Sequence, residues 1–577
     1  MSYQIILNNN NATADVCEIA STDGIRILKF NVRFSSPVSP SEIRLTWEFP
    51  TIDVYSVWTP LGGGQRSLRP NWSPHKTNSR LASGIPVHAM TSLSGHNRLT
   101  VAVSDVNTPI SITTGIREET ADTHCEIHFF TNPVARMDTY TAYVRLDTRD
   151  IPYEDALRDV EAWWQNDFGY LPAHTPDTAL HPMYSSWYSY HQAVTPEPLL
   201  RECRAAKALG MDCIIVDDGW QTGDVNRGYA YCGDWEPCAE KLGDMRAFVD
   251  AVHATGMKIM LWYAVAYMGK KSKKYAQFES MLLGSNRPTH ATLDPRYPAV
   301  RDYLCGLYET ALREWDLDGF KLDFIDAFGL FPETPAYDER RDTQILEEGV
   351  SLLLEEIRTR LHAIKPDVLL EFRQSYIGPT VRKYGNMLRV GDCPNDAFRN
   401  RTESINLRLL SSTTAVHSDM IMWHRDEPAH AAARQLIHCL FCVPQISVRL
   451  DEISESQSKM LRFYLDFWNA HRDVLLNGKL YAPHPELGYS MAYAQKDGVT
   501  VAAVYTDVVA RLGRHGRKSC IVNGSGTDAV TLSIANAAGA KCTVYTCTGE
   551  IANTLILPTD TSLFSLTIPD SGMAVIE

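Results

Sequence analysis

The chain has 577 residues, of which 44% are hydrophobic and 21% charged, with a net charge of −14. That length exceeds one ordinary core and predicts two or three domains, and the composition is that of a folded globular protein rather than a disordered one. The acidic balance argues against nucleic acid or an anionic membrane as partner, and no apolar run approaches the roughly 18 residues that span a bilayer.

The N-terminus, MSYQIILNNNNATADV, has no basic stretch followed by a long apolar one. The thirteen cysteines are odd in number and are read as scattered, without a C-x-x-C pair, and as reduced, mostly buried thiols. Together these features predict a cytoplasmic protein. Up to about residue 175 the chain is β-rich. GIRILKFNVRFSS, EIRLTWEF, RLTVAVSD, CEIHFFTN and TYTAYVRLDT are short alternating runs separated by Ser, Asn, Pro and Asp, the pattern of an antiparallel sandwich. LGGGQR, at 61–66, lies in this part and does not open a helix, so it is not read as a nucleotide-binding loop.

From about 180 to 475 the rhythm changes. Eight strand candidates follow: MYSSWYSY (183–190), CIIVDDGW (213–220), KIMLWYAVAY (258–267), GFKLDFIDAF (319–328), VLLEFRQSY (368–376), MLRVGD (387–392), HSDMIMW (417–423) and CVPQISV (442–448). Amphipathic stretches such as PEPLLRECRAAKALG and ILEEGVSLLLEEIRTRLHAI fill most gaps, and the fifth-to-sixth gap is short for a full helix. Eight strand–helix alternations predict a (β/α)8 barrel. The one basic cluster, GKKSKKY at 269–275, reads as a solvated loop within it. The last hundred residues return to short strands (VTVAAVYTD, KSCIVNG, AVTLSIAN, KCTVYTC, LFSLTIP). The predicted chain is thus multidomain: an N-terminal β-sandwich (1–175), a catalytic TIM barrel (176–475) and a C-terminal antiparallel β domain (476–577).

Polar residues fall late in otherwise apolar strands: Asp217 and Asp218, Trp262, Lys321 and Asp323, Glu371 and Arg373, Arg389 and Asp392. In a barrel those strand ends form the active-site face. The face is rich in carboxylates, with Asp326 and Asp396 nearby, and there is no HExxH, phosphate-binding loop or GxSxG elbow. Lys321 beside Asp323 argues against a divalent ion, so no metal or cofactor is expected. Paired carboxylates with aromatic walls suit glycoside hydrolysis, in which one attacks the anomeric carbon and the other protonates the leaving oxygen.

YSSWYSY, VDDGW, GDWEP, LWYAVAY, GFKLDF and LRVGD occur in an order that resembles the α-galactosidases of glycoside hydrolase clan D, closest to the melibiase and raffinose-synthase-like family thirty-six. The resemblance implies a retaining exo-acting α-galactosidase with Asp323 as nucleophile and Asp392 as acid/base. It further implies that Lys321 and Arg389 assist, that Asp217 and Asp218 grip the sugar hydroxyls at C4 and C6, and that Trp187, Tyr188, Trp235 and Trp262 wall the pocket. The substrate implied is an oligosaccharide or glycoside, and homo-oligomers are implied too, with Trp72 able to reach a neighbouring site. The sequence departs from the pattern in three places, one of them a shift of about a residue in the spacing around Asp392. LEFRQSYIGP replaces a Cys- and Gly-rich segment after strand five, and YAVAY replaces Glu-Pro-Glu after the Trp of strand three. Arg373 is therefore a candidate to read a charged or substituted sugar.

Each residue also has a plainer reading. Asp323 could form a structural ion pair with Lys321, and Glu371 one with Arg373. Asp392 could cap a turn or helix, leaving Asp396 as acid/base, and Asp217 and Asp218 could cap loops. The aromatic residues could be core. His417 and Asp419 read as supports, and His191 has no evident partner. Related α-glycosidases, among them an α-N-acetylgalactosaminidase, an α-glucosidase or a transglycosylase, and a carbohydrate-binding protein without catalysis remain the alternatives.

Overall fold

The computed structural model describes residues 2–8, 11–61, 65–558 and 562–577; the three glycines of LGGGQR lie outside them. The N-terminal strands form two six-stranded antiparallel sheets. Their facing side chains, among them Phe30, Leu45, Trp47, Ile112 and Phe129, make a core of their own. Helix Tyr153–Phe168 follows. Its Trp164 indole donates to the Val103 carbonyl at 2.9 Å and its Tyr153 hydroxyl to Ala482 O at 2.9 Å, so it ties the first module to the last.

The barrel strands are β1 (Met183–Ser185), β2 (Cys213–Val216), β3 (Lys258–Ala264), β4 (Gly319–Asp323), β5 (Leu369–Arg373), β6 (Met387–Arg389), β7 (Ala415–His417) and β8 (Gln445–Ile446). Neighbours pair in parallel, in chain order, and β8 returns to β1. Bridges from His417 to Val443 and from Ile421 to Ile446 close the ring. All eight strand candidates overlap a barrel strand, although HSDMIMW meets β7 only at His417 and MYSSWYSY turns helical at Trp187–Tyr190. Helices α1 (Pro196–Ala208), α2 (Met245–His253), α3 (Pro298–Glu314), α4 (Leu346–Ile364), α5 (Ala397–Arg408), α6 (Ala429–His438) and α7 (Glu455–Asn477) surround it. Between β5 and β6 only a single 3-10 turn, Val381–Lys383, occupies the short gap.

KIMLWYAVAY does not form one continuous strand. The chain leaves the barrel after Ala264 and enters a three-stranded antiparallel sheet of Tyr267–Gly269, Leu282–Gly284 and His290–Leu293, beside β3. The C-terminal strands form a seven-stranded and a three-stranded sheet, mainly antiparallel, with parallel pairing where Val499–Val504 meets Lys518–Asn523 and Val509–Arg514 meets Ala529–Ala535. No helix among the described residues is long and apolar enough to cross a membrane.

The barrel interior explains why charges occur in apolar strands. Alternate residues of a strand face the same side. Met183, Cys213, Ile215, Met260, Leu369, Met387 and Ala415 form an apolar floor. Two residues further along β4 to β7 come Lys321, Glu371, Arg389 and His417, all buried, and two further still come Asp323, Arg373 and Asp419. The strands thus run from an apolar base to a charged rim.

The cysteines are all unpaired and mostly buried. One C-x-x-C spacing does exist, Cys439-Leu440-Phe441-Cys442, and it is not scattered. It follows α6, and the Cys442 thiol donates to the Cys439 carbonyl at 3.2 Å, so the pair terminates that helix inside the core.

Candidate active site

A cavity of about 130 Å³ opens at the C-terminal end of the barrel, lined by Trp187, Asp217, Asp218, Tyr229, Trp262, Lys321, Asp323, Phe324, Arg373 and Asp392. Asp323 ends β4 and is 7% exposed. One carboxylate oxygen accepts the Trp262 indole N–H at 3.0 Å; the other accepts the Phe324 backbone N–H at 2.9 Å and the Arg373 Nε–H. Burial pushes this carboxyl up, but Arg373, then Lys321 and Arg389, outweigh it and bring the group down to about 2. Asp323 is therefore ionised and held at both oxygens.

The plain reading of Asp323 and Lys321 as an ion pair does not hold. The Lys321 ammonium reaches Asp217 at 2.6 Å instead, across the barrel from β4 to the end of β2, and both side chains are almost fully buried. Asp217 also accepts the backbone N–H of Asp218, while its own N–H donates to Ser186 Oγ. Asp218 accepts Gln192 Nε2 at 2.6 Å and Gln221 Nε2 at 2.7 Å, and burial pushes its carboxyl up to about 6. Gly219 makes this arrangement possible. Its φ is +112° and an added Cβ would lie 2.5 Å from Gln192 Cα, so DDGW needs glycine there.

Asp392 lies three residues beyond β6, with its side chain 59% exposed at the cavity mouth. Arg389 is buried and divides its guanidinium between Asp392 at 2.9 Å and Asp419 at 2.5 Å. Burial raises the Asp392 carboxyl, Arg389 and Lys321 lower it further than that, and the charge on Asp323 raises it again; the net shift is downward. Asp396 is the helix cap, accepting the Arg399 N–H at the start of α5, and is not among the residues lining the cavity. The competition between these two aspartates thus places Asp392 on the cavity and Asp396 in a structural role.

Three predicted site residues do not line the cavity. Tyr188 donates its hydroxyl to Asp419 at 2.9 Å, which orients the partner of Arg389. Trp235 packs behind Trp262, with rings 5.8 Å apart, and against Trp220 and Tyr263; it is core. Arg389 acts from below the surface, as described. Glu371 and Arg373 do not pair. They are successive inward positions of β5 at different depths, so Glu371 accepts from Gln445 Nε2 beneath the site while Arg373 reaches Asp323. His417 bonds the Ala179 carbonyl at 2.8 Å on the floor, and His191 meets Arg227 at 2.9 Å and packs edge-on to Trp187.

Sequence reasoning missed Tyr229, Phe324, Gln192 and Gln221. Phe324 directly follows Asp323, and its left-handed backbone (φ 64°) turns the ring toward Tyr229, 5.2 Å away. Tyr229 lies on the long loop after β2, in RGYAYCGDW, where the only available signal is an aromatic, Gly-rich stretch between two motifs. No group of three or more His, Cys, Asp or Glu side chains among the described residues is arranged to hold a metal ion.

The chain is thus a (β/α)8 barrel flanked by two β modules, with carboxylates gathered at the C-terminal rim of the barrel. Residues 178–378 match the family model described as Melibiase, in line with the resemblance carried by the motifs. Among curated proteins, the chain is 30% identical over 94 residues to the bifunctional α-galactosidase/sucrose kinase AgaSK of Mediterraneibacter gnavus, covering 16% of this chain and 10% of that protein. It is 26% identical over 200 residues to α-galactosidase 1 of Pediococcus pentosaceus, covering 32% and 26%. The matched stretches thus span only 10% and 26% of these relatives' own length. Among solved structures, the α-galactosidase from Lactobacillus brevis superposes with a TM-score of 0.64 at 15% identity, over 100% of this chain and 85% of that one. The GH36 α-galactosidase AgaA from Geobacillus stearothermophilus in complex with raffinose gives a TM-score of 0.63 at 14% identity, over 100% and 86%. Both share the fold.

Proposed function

We propose that this protein is a retaining exo-α-galactosidase acting on terminal α-galactosides of oligosaccharides. The observation that carries the reading is the pair of carboxyl groups on one small cavity, Asp323 buried and held at both oxygens, Asp392 open to the mouth. Asp323 attacks the anomeric carbon and Asp392 gives a proton to the leaving oxygen. Water then enters, Asp392 takes its proton, and the bond to Asp323 breaks. Asp392 acts from its protonated form in the first step, a form that the charge on Asp323 favours against the downward pull of Arg389 and Lys321; that push disappears once Asp323 carries the sugar, and Asp392 then acts as the base in the second step.

The cavity also bears on the sugar. Lys321 is neutralised by Asp217 and Arg373 by Asp323, while Arg389 below serves Asp392 and Asp419. With each of these cations already held by a carboxylate, a neutral hexose is favoured over the charged sugar that Arg373 suggested from sequence. Asp217 and Asp218 at the far wall supply acceptors for its hydroxyls. The test is hydrolysis of 4-nitrophenyl α-galactoside, with α-glucoside and α-N-acetylgalactosaminide as controls. Turnover of the galactoside that vanishes in Asp323→Ala is expected; near-wild-type turnover in that variant refutes the assignment.

A further inference from the structure

The loop after β5 departs most from the family pattern, and the structure shows what holds it. A tight hairpin of the N-terminal module, strands His75–Arg80 and Ser83–Gly84, reaches onto the barrel rim. Leu81, Ala82 and Ile85 are buried in the barrel's hydrophobic cluster rather than in the sandwich's own core. Gly84 has φ +75° and no room for a Cβ, which would sit 2.1 Å from Asn78 O, so the turn is fixed by sequence.

From that hairpin, Arg80 Nη1 donates to Phe328 O at 2.9 Å and Nη2 to Asp326 O at 3.1 Å, clamping the segment that follows Asp323. The Gly84 N–H donates to Ser375 O at 2.7 Å, and Ser83 Oγ and Ser375 Oγ lie 3.0 Å apart. Ser375 in turn donates to Asp326 Oδ2 at 3.1 Å. Asp326 lies 3.8 Å from Arg373, whose Nε holds Asp323. The contacts form an unbroken path from the sandwich to the Asp323 carboxylate, through both loops that frame it.

We infer that Arg80, with Ser83 and Gly84, is a positioning element for Asp323, so that the N-terminal module is part of the catalytic apparatus rather than an appendage. Arg80 acts through the backbone at 326–328 and through Asp326, which keeps Arg373 on Asp323. The inference rests on Asp323 as nucleophile for its kinetic consequences, but its structural part is independent of the substrate. Asp323 is faced by Lys321 from its own strand, Trp262 from β3, Arg373 from β5 and Tyr376 just after it, Arg389 and Asp392 from β6 and beyond, Tyr229 from the β2 loop and Tyr267 from the sheet beside β3. Among these, Arg373 contributes most to keeping it ionised.

Two measurements on the full chain test this. Hydrogen–deuterium exchange of Arg80→Gln should quicken in peptides covering 324–328 and 373–377 and remain unchanged at 213–216. On 4-nitrophenyl α-galactoside, kcat/KM should fall about tenfold, the scale of one lost hydrogen bond from a charged group, with its acid limb moved to higher pH and KM little changed. Arg80→Lys, which keeps the charge but not the two-pronged reach, should fall between. Unchanged exchange at both segments overturns the inference whether or not the protein hydrolyses galactosides. So does a lowered Tm with the acid limb unmoved, which would mark Arg80 as a stabilising contact only. A wild-type protein inactive on the galactoside would refute the proposed function and leave the exchange result to decide this one.

Discussion

Replacing Arg373 by methionine isolates the electrostatic support of Asp323, because methionine keeps length and apolar contact with Phe324 and Tyr376, whose rings lie 5.0 and 5.9 Å from the guanidinium. The Asp323 carboxyl stands at about 2 against an ordinary 3.8. That difference corresponds to ~2–3 kcal/mol in favour of the ionised form. Arg373 is the largest of the groups that lower it, ahead of Lys321 and Arg389. Without it, burial regains ground and the carboxyl should rise by about one to two units. The acid limb of kcat/KM on 4-nitrophenyl α-galactoside should then move from near pH 2 to about pH 3–4. Stability should follow the same sign. A depressed carboxyl stabilises the fold above its unfolded value and loses that contribution as pH falls toward 2, so the variant should be destabilised at neutral pH and converge with wild type in acid. An unmoved acid limb with a raised KM would refute the reasoning, because Arg373 would then grip the sugar rather than the nucleophile.

Asp218→Asn should trade activity for stability. Its carboxyl is raised to about 6, so keeping it ionised in the fold costs free energy that grows between its unfolded value and pH 6; the variant's Tm should exceed wild type at pH 8 and match it near pH 4, while kcat/KM falls. Lys321→Met leaves Asp217 buried without its partner and should cost ~3–5 kcal/mol by urea denaturation, much of it recovered in the double variant with Asp217→Leu, which should stay inactive. Asp396→Ala removes the α5 cap and should lower stability by ~0.5–2 kcal/mol with kcat retained, whereas Asp392→Ala should abolish turnover of substrates with poor leaving groups. Loss of kcat in Asp396→Ala would reverse the two assignments.

The rim residues do more for one another than for any single contact. Arg389 serves three carboxylates, Asp392, Asp419 and, at 3.7 Å, Glu371; Arg373 holds Asp323, and Lys321 ties β4 to β2. These pairs sit above an apolar floor, where an unpaired charge would be expensive. The barrel can carry Lys321, Asp323 and Arg389 because Asp217, Arg373 and Asp419 meet them from other strands.

The sequence by itself determined the barrel, because its strands alternate inward and outward and its helices are amphipathic, and both periods are local. It also determined which strand ends carry chemistry, since a charge late in a buried strand must face either a partner or a site, and DDGW, KLD and RVGD each put one there. What it could not decide is which charge meets which. Lys321 reads as the partner of Asp323, two residues away, yet the closing of the barrel brings Asp217 to it from 104 residues earlier. Arg373 reads as the partner of Glu371, yet two residues along a strand is about 7 Å of depth, enough to separate the floor from the rim. Trp235 reads as a wall and is core, whereas Tyr229 on an irregular loop is a wall, because loop paths follow no period. The hairpin at Arg80 carries no motif at all. Its place beside Asp326 and Ser375 exists only in the packed molecule, where two modules of the chain share one buried surface.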